Sequence, residues 1–203
     1  MKTLNRIIVF ALLLTTALAA HAADNETKIL DKTAETYKKA GDVKIGFTID
    51  VSGQSSAGVI KLSGQKFCCT TGGNVAWFDG KTMWSYVKAN EEVNVSNPSE
   101  KEITRLNPYA FLNIYKKGYK AKVSKTTDKE YYITLTGKKG SAYKSIDIHL
   151  DKVSYQPSYV KMVTAKRTLT IKVNSYLKNQ KFASSDFTFS KKEYPKAEIV
   201  DLR

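Results

Sequence analysis

The sequence predicts a mainly β domain: one large antiparallel sheet of about eleven strands with few helices. Three observations predict it. Apolar and polar residues alternate with a period of two along many short stretches. Turn signals such as Ser63-Gly64, Thr71-Gly72-Gly73-Asn74 and Asp79-Gly80 separate those stretches. Strands and helices do not alternate along the chain, so parallel βαβ units are not expected, and no repeat or linker divides the sequence.

The first segment is expected to lie outside the fold. Lys2 and Arg6 make a positive start, Ile7 to Leu14 an apolar run, and Ala20-His21-Ala22 a small-residue cleavage site. That is the pattern of a secretory signal peptide. The chain therefore divides into a cleaved leader, residues 1–22, and a single domain, residues 23–203, with a mature start at Ala23. The apolar run is shorter than the ~20 residues a spanning helix needs, and no later segment is apolar for long enough. No cysteine follows the cleavage site to take a lipid anchor. The expected address is the periplasm or the exterior.

Asp24 to Ala40 has helical spacing, with Ile29, Leu30, Thr33, Ala34 and Tyr37 on one side and lysines on much of the other. Asp24 or Asn25 suits its start and Gly41 its end. Val43, Ile45, Phe47, Ile49 and Val51 then alternate with Lys44, Gly46, Thr48 and Asp50. Val59 to Leu62 and Phe67 to Thr70 are the next strands. Val75 to Phe78 and Met83 to Val87 flank Asp79-Gly80 as a hairpin, and Val93 to Val95 continues the meander.

The pattern changes at Asn97-Pro98. Ser99-Glu100-Lys101-Glu102 has the form of a capping box. Asn107 and Pro108 start a second helix, Tyr109 to Lys117, which ends at Gly118. Apolar side chains occupy almost every side of it, so it is expected to be covered on more than one face. Strands resume with Tyr119, Ala121 and Val123, then Tyr131, Ile133 and Leu135, then Ile146, Ile148 and Leu150. Tyr159 to Thr164, Leu169 to Val173, and finally Phe187 with Phe189 complete the set.

Charge and composition limit the function. Lysine plus arginine number 33 against 19 acidic residues, a net charge of +14 that falls to +12 once Lys2 and Arg6 leave. Only Arg105, Arg167 and Arg203 remain as arginines. Nucleic-acid readers rely on arginine for bidentate contacts, and the lysines are spread along the chain. A soluble, basic surface or an acidic partner fits better. Cys68 and Cys69 are adjacent, with Cα atoms about 3.8 Å apart, too close for an unstrained disulfide. On a strand they point to opposite faces, which predicts two free thiols, one inward and one outward.

An active site is not expected. His149 is the one histidine beyond the leader, on a charged strand face with Asp147 and Asp151. Residues at i, i+2 and i+4 share a face and in principle hold a metal, but a solvated strand face explains them more simply. No phosphate loop, CxxC, HExxH or GxSxG motif is present. No cofactor is implied.

The hairpin at residues 76–86 is the densest aromatic feature. Val75 and Trp77 share one face with Trp84 and Tyr86; Met83 and Val87 point the other way, with Ala76 and Phe78. Both faces are apolar. Either all of this is core, or one face meets the core and the other a lid or a ligand. A sheet of this size need not close fully and can keep a greasy hollow on one face. The apolar 99–118 segment is suited to plug it.

The order and spacing of "GVIKLSGQKF", "FDGKTMWSY", "EEVNVSNPSEKEITRLNPYAFLNIYKKGY" and "DFTFSKKEYPKAEIVDLR" resemble the outer-membrane lipoprotein carrier proteins (LolA-like). The resemblance spans nearly all of the chain beyond the leader and looks like a divergent branch. It implies an unclosed antiparallel β-barrel covered by a helical lid, and a non-enzymatic, monomeric carrier. Such a carrier takes the acyl chains of lipoproteins from an inner-membrane transporter and passes them to an outer-membrane acceptor. Carried over by position, Trp77, Trp84, Tyr86, Phe111 and Leu112 are expected at the cavity; Phe47, Tyr109 and Tyr115 complete the expected cavity and lid set. Many family members have a lid-latching arginine near the strand–turn–strand before the hairpin. Here Leu62 to Phe67 has none, and Lys61 or Lys66 is a weak substitute; Cys68-Cys69 replaces the tryptophan expected next. A lipid- or unfolded-protein-sensing module on the same scaffold is the alternative.

Overall fold

The computed structural model describes residues 26–99, 102–103 and 115–203. The predicted leader, and the segment carrying Tyr109, Phe111 and Leu112, lie outside the described residues. The chain opens with a helix, α1, over residues 26–39. Twelve strands follow: β1 Asp42–Val51, β2 Gln54–Ser63, β3 Lys66–Thr71, β4 Asn74–Phe78, β5 Met83–Val87, β6 Glu92–Ser96, β7 Tyr119–Thr126, β8 Glu130–Gly137, β9 Ser145–Asp151, β10 Pro157–Val163, β11 Thr168–Gln180 and β12 Glu198–Asp201. No helix among the described residues is long and apolar enough to cross a membrane.

All twelve strands join one sheet in the order β12-β6-β5-β4-β3-β2-β1-β11-β10-β9-β8-β7. Two meanders, β1–β6 and β7–β11, are fused through the β1–β11 pair, which runs from Asp42 opposite Gln180 to Val51 opposite Leu169. The described strands leave β12 and β7 as edges, so the sheet is open and does not close into a barrel.

The period-two pattern explains which residues are inside. Val43, Ile45 and Phe47 of β1, Ile60 and Leu62 of β2, Ile146, Ile148 and Leu150 of β9, and Ile171 of β11 all enter one core on the face covered by α1. Ile29 and Leu30 of α1 pack into it. The helix ends where sequence places its end: Gly41 has φ +63°, a conformation that glycine adopts without Cβ strain. Tyr115 is buried in the same core and donates its hydroxyl to Asp31 of α1. Beside it, Lys116 pairs with Asp31 at 2.7 Å.

Two expectations need correction. Phe187 and Phe189 alternate like a strand, but Ser184–Phe187 is a 3-10 turn. The Asp186 carboxylate accepts the Ala183 N–H at 2.9 Å there, a local bond that competes with strand pairing. The last strand is instead β12, and it pairs in parallel with β6. The described residues thus hold twelve strands, in line with the expected number, with one parallel pair in an otherwise antiparallel sheet.

Candidate functional site

An apolar groove of about 330 Å³ opens on the α1-covered face, a size at the lower end of small-ligand sites. Phe47 and Ile49 of β1, Phe67 and Cys69 of β3, Ala76 of β4, Ser85 and Val87 of β5, and Met162, Leu169 and Ile171 of β10 and β11 line it.

Side-chain size across neighbouring strands explains why a groove forms there. One inner row runs Leu62, Phe67, Phe78, Met83 through successive paired positions. It is bulky, and the Phe67 and Phe78 rings meet at a tilt with centres 5.5 Å apart. The next inner row runs Ile60, Cys69, Ala76, Ser85. Three small residues in succession leave the floor low beside a high wall. Phe47 forms another wall by lying over Gly58, its cross-strand partner. A Cβ at Gly58 would stand 2.4 Å from the Phe47 ring, so that ring position requires glycine.

The hairpin that carries Ala76 and Ser85 is fixed by its loop. Asp79 accepts the N–H groups of Lys81 and Thr82, both at 2.8 Å, and Gly80 has φ +103°.

Of the sequence-predicted residues, Phe47 and Tyr86 border the groove. The Tyr86 ring itself lies against Tyr194 at 4.7 Å. Trp77 and Trp84 are on the other face of the hairpin. Trp77 is buried against Phe189 and Tyr194, at 5.8 and 5.3 Å between ring centres, and Trp84 packs against the same buried cluster. Tyr115 sits in the main core and not among the groove's lining residues. Tyr109, Phe111 and Leu112 lie outside the described residues. The groove residues that sequence reasoning did not single out are Cys69, Ala76, Ser85, Met162, Leu169 and Arg167. The available signal was the row of small residues, Cys69, Ala76 and Ser85, at successive cross-strand positions.

The thiols divide as the strand period requires: Cys68 is buried with Trp77 and Phe187, and Cys69 faces the groove. Both are free. Burial pushes the Cys68 thiol up to about 11 and the Cys69 thiol up to about 12, so neither is a thiolate near neutral pH.

The row of His149, Asp147 and Asp151 is committed to other partners. His149 stacks between Tyr132 and Tyr159, with ring centres 4.1 and 4.4 Å away, and burial lowers its pKa. Asp147 accepts the Thr134 hydroxyl at 2.8 Å, and Asp151 accepts from Ser154 in its own turn at 2.7 Å. Among the described residues no group of three acidic, histidine or cysteine side chains is placed to hold a metal.

An open antiparallel sheet with an apolar groove under its helix-covered face defines a β-sheet scaffold with a hollow binding face. The profile described as "Outer membrane lipoprotein carrier protein LolA" matches residues 15–166, and the chain belongs to that family. No curated protein matches it. Among solved structures, an uncharacterized conserved protein from Thermus thermophilus is similar at 11% identity and a TM-score of 0.60, over 86% of this chain and 98% of that one. A putative outer membrane lipoprotein-sorting protein domain from Vibrio parahaemolyticus is similar at 12% identity and a TM-score of 0.50, over 86% of this chain and 100% of that one. At these identities the likeness is one of fold.

Proposed function

We propose that the protein is a periplasmic carrier of lipoprotein acyl chains. It receives them from an inner-membrane lipoprotein-releasing transporter and delivers them to an outer-membrane acceptor. The observation that carries this reading is the apolar groove floored by Cys69, Ala76 and Ser85, together with membership of the carrier family.

The physical argument concerns transfer through water. Each CH₂ removed from water is worth about 0.8 kcal/mol, so an acylated protein needs a shield to leave one membrane for another. The groove is open to solvent along one side, which limits how much chain area it buries. Partial burial keeps release possible. Phe47 is a wall of this site, and Tyr86 borders it with its ring turned to Tyr194 on the other face. In the same reading Trp77 and Trp84 support the hairpin from behind. Tyr109, Phe111 and Leu112 of the 99–118 segment supply further apolar contacts to the acyl chain, while Tyr115 anchors the end of that segment in the main core.

The test raises the floor. Ala76→Phe puts a ring into the groove while the opposite hairpin face keeps its packing. Expected is a loss of co-purifying acylated protein of about tenfold, with Tm within about 2–4 °C of the native protein, the shift that ~1 kcal/mol of overpacking gives in a domain of this size. Equal recovery of acylated protein from both would remove the groove assignment.

A further inference from the structure

A second hollow, of about 530 Å³, lies beside the groove and is lined by Ala142, Tyr143, Met162, Thr164, Lys166, Arg167 and Leu169 among others. Met162, Arg167 and Leu169 line both hollows, so the two meet at the turn between β10 and β11. Among the described residues that line this double hollow, the charged ones are Arg167 and Lys166, and none is a carboxylate.

We infer that Arg167, with Lys166 beside it, is an anion-binding rim that selects amphiphiles whose acyl chain ends in a negatively charged head group. The inference rests on the reading of the groove as an acyl-chain site. The backbone of this turn is held in place. Thr164 Oγ1 accepts the N–H groups of Lys166 at 3.2 Å and Arg167 at 3.1 Å, and the Thr164 N–H bonds the Arg167 carbonyl at 3.0 Å. The turn is fixed while its two cationic side chains remain exposed.

Among the described residues Arg167 has no carboxylate partner. Arg203, the other described arginine, is engaged by Asp201 at 2.6 Å. A guanidinium stays charged at any relevant pH and offers a planar fork that matches carboxylate and phosphate oxygens. Here the fork stands next to the apolar edge formed by Met162 and Leu169. An amphiphile lying in the groove therefore meets apolar walls along its chain and positive charge where the walls end. The net positive charge of the whole chain adds attraction at longer range.

The experiment compares three amphiphiles of one chain length on the whole protein: a fatty acid, a lysophosphatidic acid and a neutral monoacylglycerol. Affinity is read by displacement of a fluorescent acyl probe at low and high salt. Expected is about tenfold tighter binding of the two anionic lipids than of the neutral one, as for a charge-assisted bond partly open to water. High salt and Arg167→Gln each shrink that ratio to near one by weakening the anionic lipids far more than the neutral one. Lys166→Gln has a smaller effect of the same sign. Equal binding of all three lipids by the native protein overturns the rim and leaves the groove standing. Loss of neutral and anionic binding together in Arg167→Gln also overturns it, as a purely structural effect of the turn. Displacement of the anionic lipids by inorganic phosphate alone, at similar affinity, overturns the link to the chain. Failure of all three lipids to bind overturns the groove reading as well.

Discussion

Cys68 and Cys69 are neighbours in the chain yet belong to different environments, one under Phe187 and one in the groove wall. Their raised pKa values have a thermodynamic consequence. In the unfolded chain both thiols titrate near the ordinary value of 9.0, and in the fold near 11 and 12. Below pH 9 both states hold the protons and stability is indifferent to them. Above it the unfolded chain releases protons first, so stability falls with rising pH by up to about 1.4 kcal/mol per pH unit for each thiol. Tyr37 and Tyr176, also raised to about 12 by burial, extend the loss from pH 10 upward. Expected is a denaturation midpoint that is flat from pH 7 to 8.5 and drops steeply above 9, less steeply in a Cys68→Ser, Cys69→Ser double variant. A midpoint unchanged at pH 10.5 would contradict this. Residue alternation made the division of the two thiols legible from sequence. It did not show which hairpin face meets the hollow, because Trp77 and Trp84 are matched by Phe78 and Met83 on the other side. Only the covering C-terminal segment decides, and it comes a hundred residues later.

Among the elements, the edge strand β7 shows how local pattern and long-range contact combine. Lys120, Lys122 and Lys125 keep its outward positions charged, a common defence of an exposed edge. Its Val123 N–H is taken by Glu26 Oε1 of α1 at 3.1 Å, so helix and strand are tied across the core. Glu26 Oε2 is buried without a partner among the described residues, so Glu26→Ala removes a burial cost along with the bond. Global stability should therefore change by less than about 1 kcal/mol, while amide exchange at Val123 accelerates at least tenfold. Unchanged exchange there would show that the tether does not hold the edge. β2 starts at Gln54, inside the polar stretch 52–56 that reads as a loop, and β11 runs on to Gln180. Otherwise the β1–β6 and β7–β11 strands were readable because each keeps its period for several residues. The Glu198–Asp201 strand was not, since four residues carry no period and a parallel partner leaves no hairpin signal. Phe187 and Phe189 misled for the opposite reason: two aromatics two apart imitate a strand, while Asp186 beside them bonds Ala183 and turns the chain.

On the scale of the whole molecule, the C-terminal segment is a second small core laid over the outer face. Phe187 is 2% exposed and packs with Cys68, Val75 and Trp77. Lys61 of β2 pairs with Asp186 at 2.5 Å and pins the turn to the sheet. Phe187→Ala should cost about 3–5 kcal/mol and shift tryptophan emission to the red as Trp77 and Trp84 meet water. Emission at the native wavelength with that stability loss would show that the segment does not shield them.

The β1–β11 pair sets an order of events for the growing chain. Each meander can zip as it is made, since its pairs are close in sequence. The seam between them needs the thirteen residues of β11, and β6 waits longer still for a partner drawn from the last few residues. Until β11 and β12 are in place, the half-sheet β1–β6 keeps a bare flank on each side. Closing the sheet is therefore a late, slow step governed by chain topology, because both pairings join residues far apart in sequence.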